Sequence, residues 1–168
     1  MMPKTMETER LILREFREND FEAYAAMCAD PEVMRFLGGV MKRVDAWRQM
    51  AMFLGHWQLR GYGLWAVEEK ATGEFIGRVG LLNPEGWPGL EVAWTLISAK
   101  WHQGFATEAA RASVDYAFNV VKADKIISMI SPENHPSIRV AERIGERFER
   151  QIEFFPGYTT SVYSLARS

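Results

Sequence analysis

The chain has 168 residues, 48% of them hydrophobic and 25% charged, a balance ordinary for a single globular domain with a sizeable core. The 20 Lys and Arg against 22 Asp and Glu leave a net charge of −2, which argues against a nucleic-acid binder and its basic face. Cys28 is the only cysteine, so no internal disulfide can form. No apolar run reaches the length of a membrane span, and the first residues carry no signal-peptide pattern. The expectation is one domain over 1–168, cytoplasmic, monomeric or homodimeric, with no nucleic acid and no membrane among its partners.

In chain order the pattern is that of an α/β protein. Residues 10–16 alternate as a strand. Asn19-Asp20 can cap a helix over 21–29, which Asp30-Pro31 ends. A second helix is predicted over 44–60, with Trp47, Met50, Ala51, Leu54 and Trp57 at three- and four-residue spacing, stopped by Gly61-Tyr62-Gly63. Strands follow at 63–69 and 74–82 about the turn Ala71-Thr72-Gly73. A Pro- and Gly-rich loop covers 83–89, and a strand covers 90–98. Further on, Ala106, Ala109, Ala110, Ser113, Val114, Ala117, Phe118 and Val121 form one helical stripe. An apolar strand over 125–131 and a helix over 136–144, ended by Gly145, come next. Phe148 to Phe154 and Thr159 to Leu165 close the chain as a strand pair around Pro156-Gly157.

The most telling stretch joins the strand over 90–98 to the helix after it: Trp101-His102-Gln103-Gly104-Phe105-Ala106-Thr107-Glu108. Four N–H groups at a helix start lack partners inside the helix, and the macrodipole adds partial positive charge there. Gly104 and the small Ala106 let those groups close around a phosphate. No Lys follows Gly104, so this is not a P-loop, and the glycine spacing is not that of a dinucleotide fingerprint.

The pattern x-x-x-G-x-A after a strand resembles the acetyl-CoA loop of the Gcn5-related N-acetyltransferases (GNAT), usually Q/R-x-x-G-x-G/A. Trp101 stands at its first position, as in the RimJ/RimL-type branch. Three other segments resemble that branch in the same order: Thr8 to Arg14, the hairpin Gly63 to Leu81, and Asn134-His135-Pro136-Ser137 with Gly145 eleven residues after Asn134. The resemblance covers nearly the whole chain. It implies a GNAT-type mixed, mainly antiparallel central sheet flanked by helices, in the order β-α-α-β-β-β-α-β-α-β-β. It also implies acetyl-CoA as cosubstrate and transfer of acetyl to a primary amine, of a protein N-terminus or a small molecule, by direct attack in a ternary complex. The alternative is a non-catalytic acyl-CoA-binding or regulatory module.

Such transfer needs an unprotonated amine, a hydrogen-bond donor at the thioester carbonyl and a proton for the departing thiolate. By the resemblance, Thr95, Leu96 and Ile97 line the pantetheine arm by main chain. His102, Gln103, Gly104, Phe105, Ala106 and Thr107 then hold the phosphates, the alternative for His102 being a solvated loop residue, and Asn134 contacts the cofactor further along. Arg139 and Arg143, four apart on the next helix, are within reach of the adenosine phosphates, Arg143 being the candidate and a solvated helix face the alternative. Glu91, opening an otherwise apolar strand, is the candidate base; burial there raises a carboxyl pKa towards a useful range, the alternative being a solvated strand end. Ser137, or a water it holds, is the candidate partner of the thiolate, because Ala141 stands where many members carry an acidic Tyr. Tyr158 and Tyr163 are held in reserve. Asn134 also reads as a helix N-cap. Trp47, Trp57, Tyr62 and Trp65 either shape the acceptor side or are core. His56, His102 and His135 lack ligand spacing, so no metal is expected, and Cys28 reads as a small buried hydrophobe.

Overall fold

Runs of β-branched and aromatic residues bounded by turns build the strands, and the computed structural model describes residues 3–168. The strands are β1 (Met6–Glu7), β2 (Leu11–Arg14), β3 (Leu64–Glu69), β4 (Phe75–Leu82), β5 (Glu91–Leu96), β6 (Lys125–Ile130), β7 (Arg147–Phe155) and β8 (Tyr158–Ala166). They form one sheet in the order β1-β2-β3-β4-β5-β6-β8-β7. Neighbours are antiparallel except β5 and β6, which run parallel and share one pairing, Glu91 with Ile127. This is the mixed, mainly antiparallel sheet expected, extended by the two-residue edge strand β1, which is too short to show a period in sequence.

Among the described residues four α-helices flank the sheet: α1 (Phe21–Ala29), α2 (Arg43–Arg60), α3 (Phe105–Asn119) and α4 (His135–Arg143). On one face Tyr24 of α1 and Met50 and Phe53 of α2 pack on Leu64, Ala66 and Leu82. On the other, Ala109, Ala110 and Ala117 of α3 pack against Val79, Leu81 and Val92, their small side chains allowing close approach. Cys28 is buried in the first of these cores, as expected. Among the described residues no helix is long and apolar enough to cross a membrane.

Two local expectations change. The buried face of α2 is Ala46, Met50, Phe53, His56 and Trp57, whereas Trp47 and Leu54 are 53% and 39% exposed. Side-chain bulk had pointed to the wrong phase of the 3.6-residue period. His56 is pinned in place: its Nε2 accepts from the Asn83 N–H at 3.0 Å, so the proton is on Nδ1, which donates to the Tyr62 carbonyl at 2.8 Å. Asp20 makes no side-chain cap on α1. Its carboxylate instead receives both Nη atoms of buried Arg14 at 2.9 Å and the Arg17 N–H at 2.7 Å. Glu68 completes the site at 2.8 Å from Arg14 Nε, and together the two carboxylates hold the Arg14 guanidinium protonated.

Candidate active site

After the single pairing at Glu91, β5 and β6 part, which opens a wedge in the sheet. Antiparallel ladders bond alternate residues to one neighbour, so the phase of β5 decides which of its groups face the wedge. The Ile97 N–H donates to Ile76 of β4 at 2.9 Å, and the Thr95 carbonyl lies over Gly77 of the same strand, 2.3 Å from where a Cβ would stand. The Leu90 carbonyl accepts from Ile127, and the Val92 carbonyl accepts from Ser128. The main-chain groups on the open edge therefore belong to Val92, Trp94 and Leu96. This corrects the sequence reading at Thr95 and Ile97, whose main chain is spent on β4; the period of two had the right strand in the wrong phase. Thr95 lines the cleft as a buried residue instead.

Glu91 is 8% exposed at the point where the strands part. Its Oε2 accepts from Trp87 Nε1 at 2.7 Å, and its Oε1 from the Met129 N–H at 3.3 Å. Burial raises its pKa, while those two donors and the charge of Arg78 pull the other way. Behind it, Ser128 Oγ lies 2.6 Å from the Val92 carbonyl and 3.0 Å from Oε1 of Glu146, a fully buried carboxyl whose Oε2 has no partner. Burial, with the neighbouring charge of Glu91 adding to it, pushes Glu146 up to about 8.

Asn134 caps α4 by accepting from the Ser137 N–H at 3.3 Å, with Pro136 in the first turn. Ser137 Oγ accepts from Trp94 Nε1 at 3.3 Å, which ties α4 to the open edge of β5. Glu91, Asn134 and Ser137 line one cleft of about 500 Å³. Tyr158 lines it too, but Tyr163 is packed with Ile130 and Ala141 and edge-on to Phe148, outside the cleft.

The loop before α3 is braced at several points. Trp101 Nε1 donates to the Leu96 carbonyl at 3.0 Å, and Gln103 Nε2 to the Ala99 carbonyl at 3.1 Å. His102 and Gly104 turn the chain with φ of +60° and +81°. The first helical bond runs from the Glu108 N–H to the Gly104 carbonyl at 3.0 Å, so the N–H groups of Phe105, Ala106 and Thr107 point out of the helix start. The side chains of Phe105 and Thr107 are buried, leaving only their main chain for a ligand. Arg10 clamps this turn: Nη1 donates to the Gln103 carbonyl at 2.9 Å, Nε to Glu108 at 2.7 Å, and the guanidinium lies 4.2 Å from the Phe105 ring centroid. Arg143 stands exposed in the last turn of α4, apart from the cleft, its carbonyl accepting from Arg111.

The structure thus gathers the loop and the Glu91–Ser137 cleft at the two ends of β5. It does not bring the expected aromatics to the cleft. Trp57 and Trp65 are buried in the core, Tyr62 packs against that core, and Trp47 faces outward. The cleft's aromatic walls come from Phe36, Phe53, Trp87, Phe154, Phe155 and Tyr158. Sequence reasoning also missed Arg10, Trp87, Trp94 and Glu146. A carboxyl directly after the helix-ending Gly145, at the entry to a strand, was the one available signal for Glu146.

The Acetyltransferase (GNAT) domain family matches residues 10–147. The chain is 35% identical over 153 positions to the protein YkkB of Bacillus subtilis (strain 168), covering 86% of each. It is 28% identical over 172 positions to the uncharacterized N-acetyltransferase YoaA of the same organism, covering 96% of each. Its structure matches that of the acetyltransferase from Agrobacterium tumefaciens str. C58 with a TM-score of 0.87 at 32% identity, over 97% of this chain and 94% of the other. The chain belongs to the GNAT family of acetyltransferases, enzymes that use acetyl-CoA, and is an acyltransferase.

Proposed function

We propose that this protein moves the acetyl group of acetyl-CoA to a primary amine by direct attack within a ternary complex. The observation that carries the reading is that Glu91, Asn134 and Ser137 line one cleft where β5 and β6 part. The outward N–H groups of Phe105, Ala106 and Thr107 suit a pyrophosphate, and the short Gly104 turn keeps side chains out of its way. The open-edge N–H of Trp94 faces the wedge in which a thioester carbonyl gains negative charge.

Glu91 takes the proton that the attacking amine loses. Its raised pKa makes it a stronger base than a solvated carboxylate, and its two donors hold it in place. Ser137, oriented by Trp94 and by the first turn of α4, donates a hydrogen bond to the sulfur as the carbon–sulfur bond breaks. The proton the thiolate takes comes from solvent water, directly or relayed through the Ser137 hydroxyl, which is thereby restored. The acceptor is a protein N-terminus or a small-molecule amine.

The test combines two measurements on the full chain: acetyl-CoA binding by calorimetry, and release of free coenzyme A thiol in the presence of small amines and N-terminal peptides. Amine-dependent thiol release is the expected result. Tight acetyl-CoA binding without release for any amine would instead establish an acyl-CoA-binding module.

A further inference from the structure

The cleft holds one cation. Among its described lining residues Arg78 of β4 is the only basic side chain and Glu91 the only acidic one. Arg78 is half-buried, with its guanidinium 5.3 Å from the Phe53 ring centroid. No ion pair among the described residues engages it, whereas the buried guanidinium of Arg14 is held by both Asp20 and Glu68. Glu91 feels its charge across the cleft but makes no direct ion pair with it, its oxygens being held by Trp87 and Met129. The Tyr24 hydroxyl beside Cys28 is the other polar group that faces the guanidinium. A cation drawn partly out of water with no direct ion pair costs free energy, and an anionic ligand seated on it recovers part of that cost.

The sheet register sets the spacing of the two charges. Arg78 pairs with Thr95, and Leu82 with Glu91, so Arg78 and Glu91 stand on the same face of the sheet. Four positions along the strands separate them, roughly 13 Å of backbone, part of which the two side chains span. Between them on this face the cleft is lined by Ala93, whose methyl group takes up little of the floor, while its partner Gly80 is closed off by Gly63 and Trp65 of β3. A trough with a carboxylate at one end and a guanidinium at the other complements a molecule that carries an ammonium and an anion.

We propose that Arg78 anchors the acceptor, and that the acceptor is an amine bearing a carboxylate: its amino group lies at Glu91 and its carboxylate on Arg78. The inference rests on the acetyltransferase reading above. The carboxylate makes and breaks no bond; the nitrogen gains the acetyl group and loses its proton to Glu91. A single Arg with no second cation beside it matches a monoanion rather than a phosphate dianion. The aromatic wall of Phe36, Trp87 and Phe154 favours an acceptor whose linker or side chain is apolar.

Two arms test this. In the binding arm, phenylacetate, phenylacetamide and inorganic phosphate are titrated by calorimetry into the parent and Arg78→Gln proteins, both checked for melting temperature. Phenylacetate should bind the parent about 10- to 100-fold more tightly than the amide or phosphate, and Arg78→Gln should erase that preference. In the turnover arm, amino acids from glycine to 6-aminohexanoate, and L-phenylalanine, are compared with their amides. Arg78→Gln should lower the acid-to-amide ratio of kcat/KM by about 100-fold, and Arg78→Lys should restore part of it. Equal losses for acids and amides, a parent that prefers amides, or stronger binding of phosphate than of phenylacetate would overturn the proposal. If no amine at all is acetylated while phenylacetate still binds through Arg78, the acetyltransferase reading fails and the anion site stands.

Discussion

The hydroxyl of Ser128 lies 2.6 Å from the Val92 carbonyl and 3.0 Å from the Glu146 carboxyl, and it has one hydrogen to give. The shorter contact is to an acceptor that cannot donate, so the Ser128 proton goes to Val92. Glu146 must then supply the proton of the second bond, as a neutral carboxylic acid donating to Ser128 Oγ. Full burial and the nearby Glu91 carboxyl favour the same state, and both raise the Glu146 pKa. The chain Glu146–Ser128–Val92 thus bridges β6 to β5 just past the point where they part, behind the base.

This protonation state has a measurable consequence for stability. The Glu146 carboxyl is pushed from an ordinary 4.5 up to about 8. Between those two pH values the unfolded chain releases a proton that the folded chain keeps, so stability falls as pH rises and levels off above the upper value. The total loss is on the order of a few kcal/mol. Glu146→Gln keeps a donor to Ser128 and removes the ionisation. Urea unfolding from pH 5 to 9 should show the parent losing stability relative to this variant across that window. Parallel curves would mean that Glu146 is ionised in the folded protein.

Glu91→Gln tests the base. The amide keeps the shape and one acceptor oxygen for Trp87 or Met129, so the strand junction should survive. Turnover should fall by about 10²–10⁴-fold while acetyl-CoA affinity holds. The parent's rate should rise with pH through the raised Glu91 pKa, and the variant should lose that limb of the profile. Unchanged turnover would assign the proton to another group or to bulk water.

What could be read from the sequence was local. The Gly104-x-Ala106 turn and the small-residue stripe of α3 sit in one continuous stretch, and there the helix and the burial of Ala109, Ala110, Ser113, Val114 and Ala117 followed from the period, whereas the burial of Phe105, Thr107 and Tyr116 did not. The phase of α2 did not, because Trp47 and Leu54 are large enough to look buried while the core selects Ala46 and Phe53. On β5 a one-residue shift exchanges main-chain groups between β4 and the wedge, and only the sheet register settles which applies. Arg10–Glu108, Ser128–Glu146 and the Arg14–Asp20–Glu68 cluster join residues from separate elements, and no spacing rule within an element reaches them. The same holds for the β7–β8 aromatics, which read simply as strand residues until the hairpin sets them over the cleft.

Gly104→Glu addresses the loop. Gly104 has a φ of +81°, which favours glycine, and a Cβ there would stand 3.4 Å from Arg10 Nη2. A carboxylate on this turn would place negative charge beside the outward N–H groups of α3 and draw Arg10 from its contacts with Gln103 and Glu108. Acetyl-CoA binding, followed by calorimetry on folded protein, should be lost. Arg10→Met should weaken it less, by about 10-fold, since only the bracing of the loop goes and the N–H groups remain. Parent-like affinity in Gly104→Glu would show that the phosphates lie elsewhere.

Ser137 and Asn134 are joined by one hydrogen bond, yet their removal should have different consequences. Asn134 Oδ1 accepts from the Ser137 N–H, and that bond caps α4. Asn134→Ala should therefore cost roughly 1 kcal/mol of stability and weaken acetyl-CoA binding through the loosened first turn. Ser137→Ala keeps the main-chain N–H, so the cap survives; what goes is the hydroxyl that accepts from Trp94 Nε1. Its expected signature is a turnover loss of about 10–10⁴-fold with near-parent melting temperature and acetyl-CoA affinity, the smaller loss applying where water replaces the hydroxyl as proton donor. Melting curves, calorimetry and initial rates on both variants separate the two patterns. Normal turnover in Ser137→Ala together with a large loss in Tyr158→Phe would move the acid to the β7–β8 hairpin, because Tyr158 lines the cleft. A loss in Tyr163→Phe would carry no such meaning, since that ring, which the substitution keeps, is packed against Ile130 and Ala141 outside the cleft and its hydroxyl is not placed to reach the sulfur.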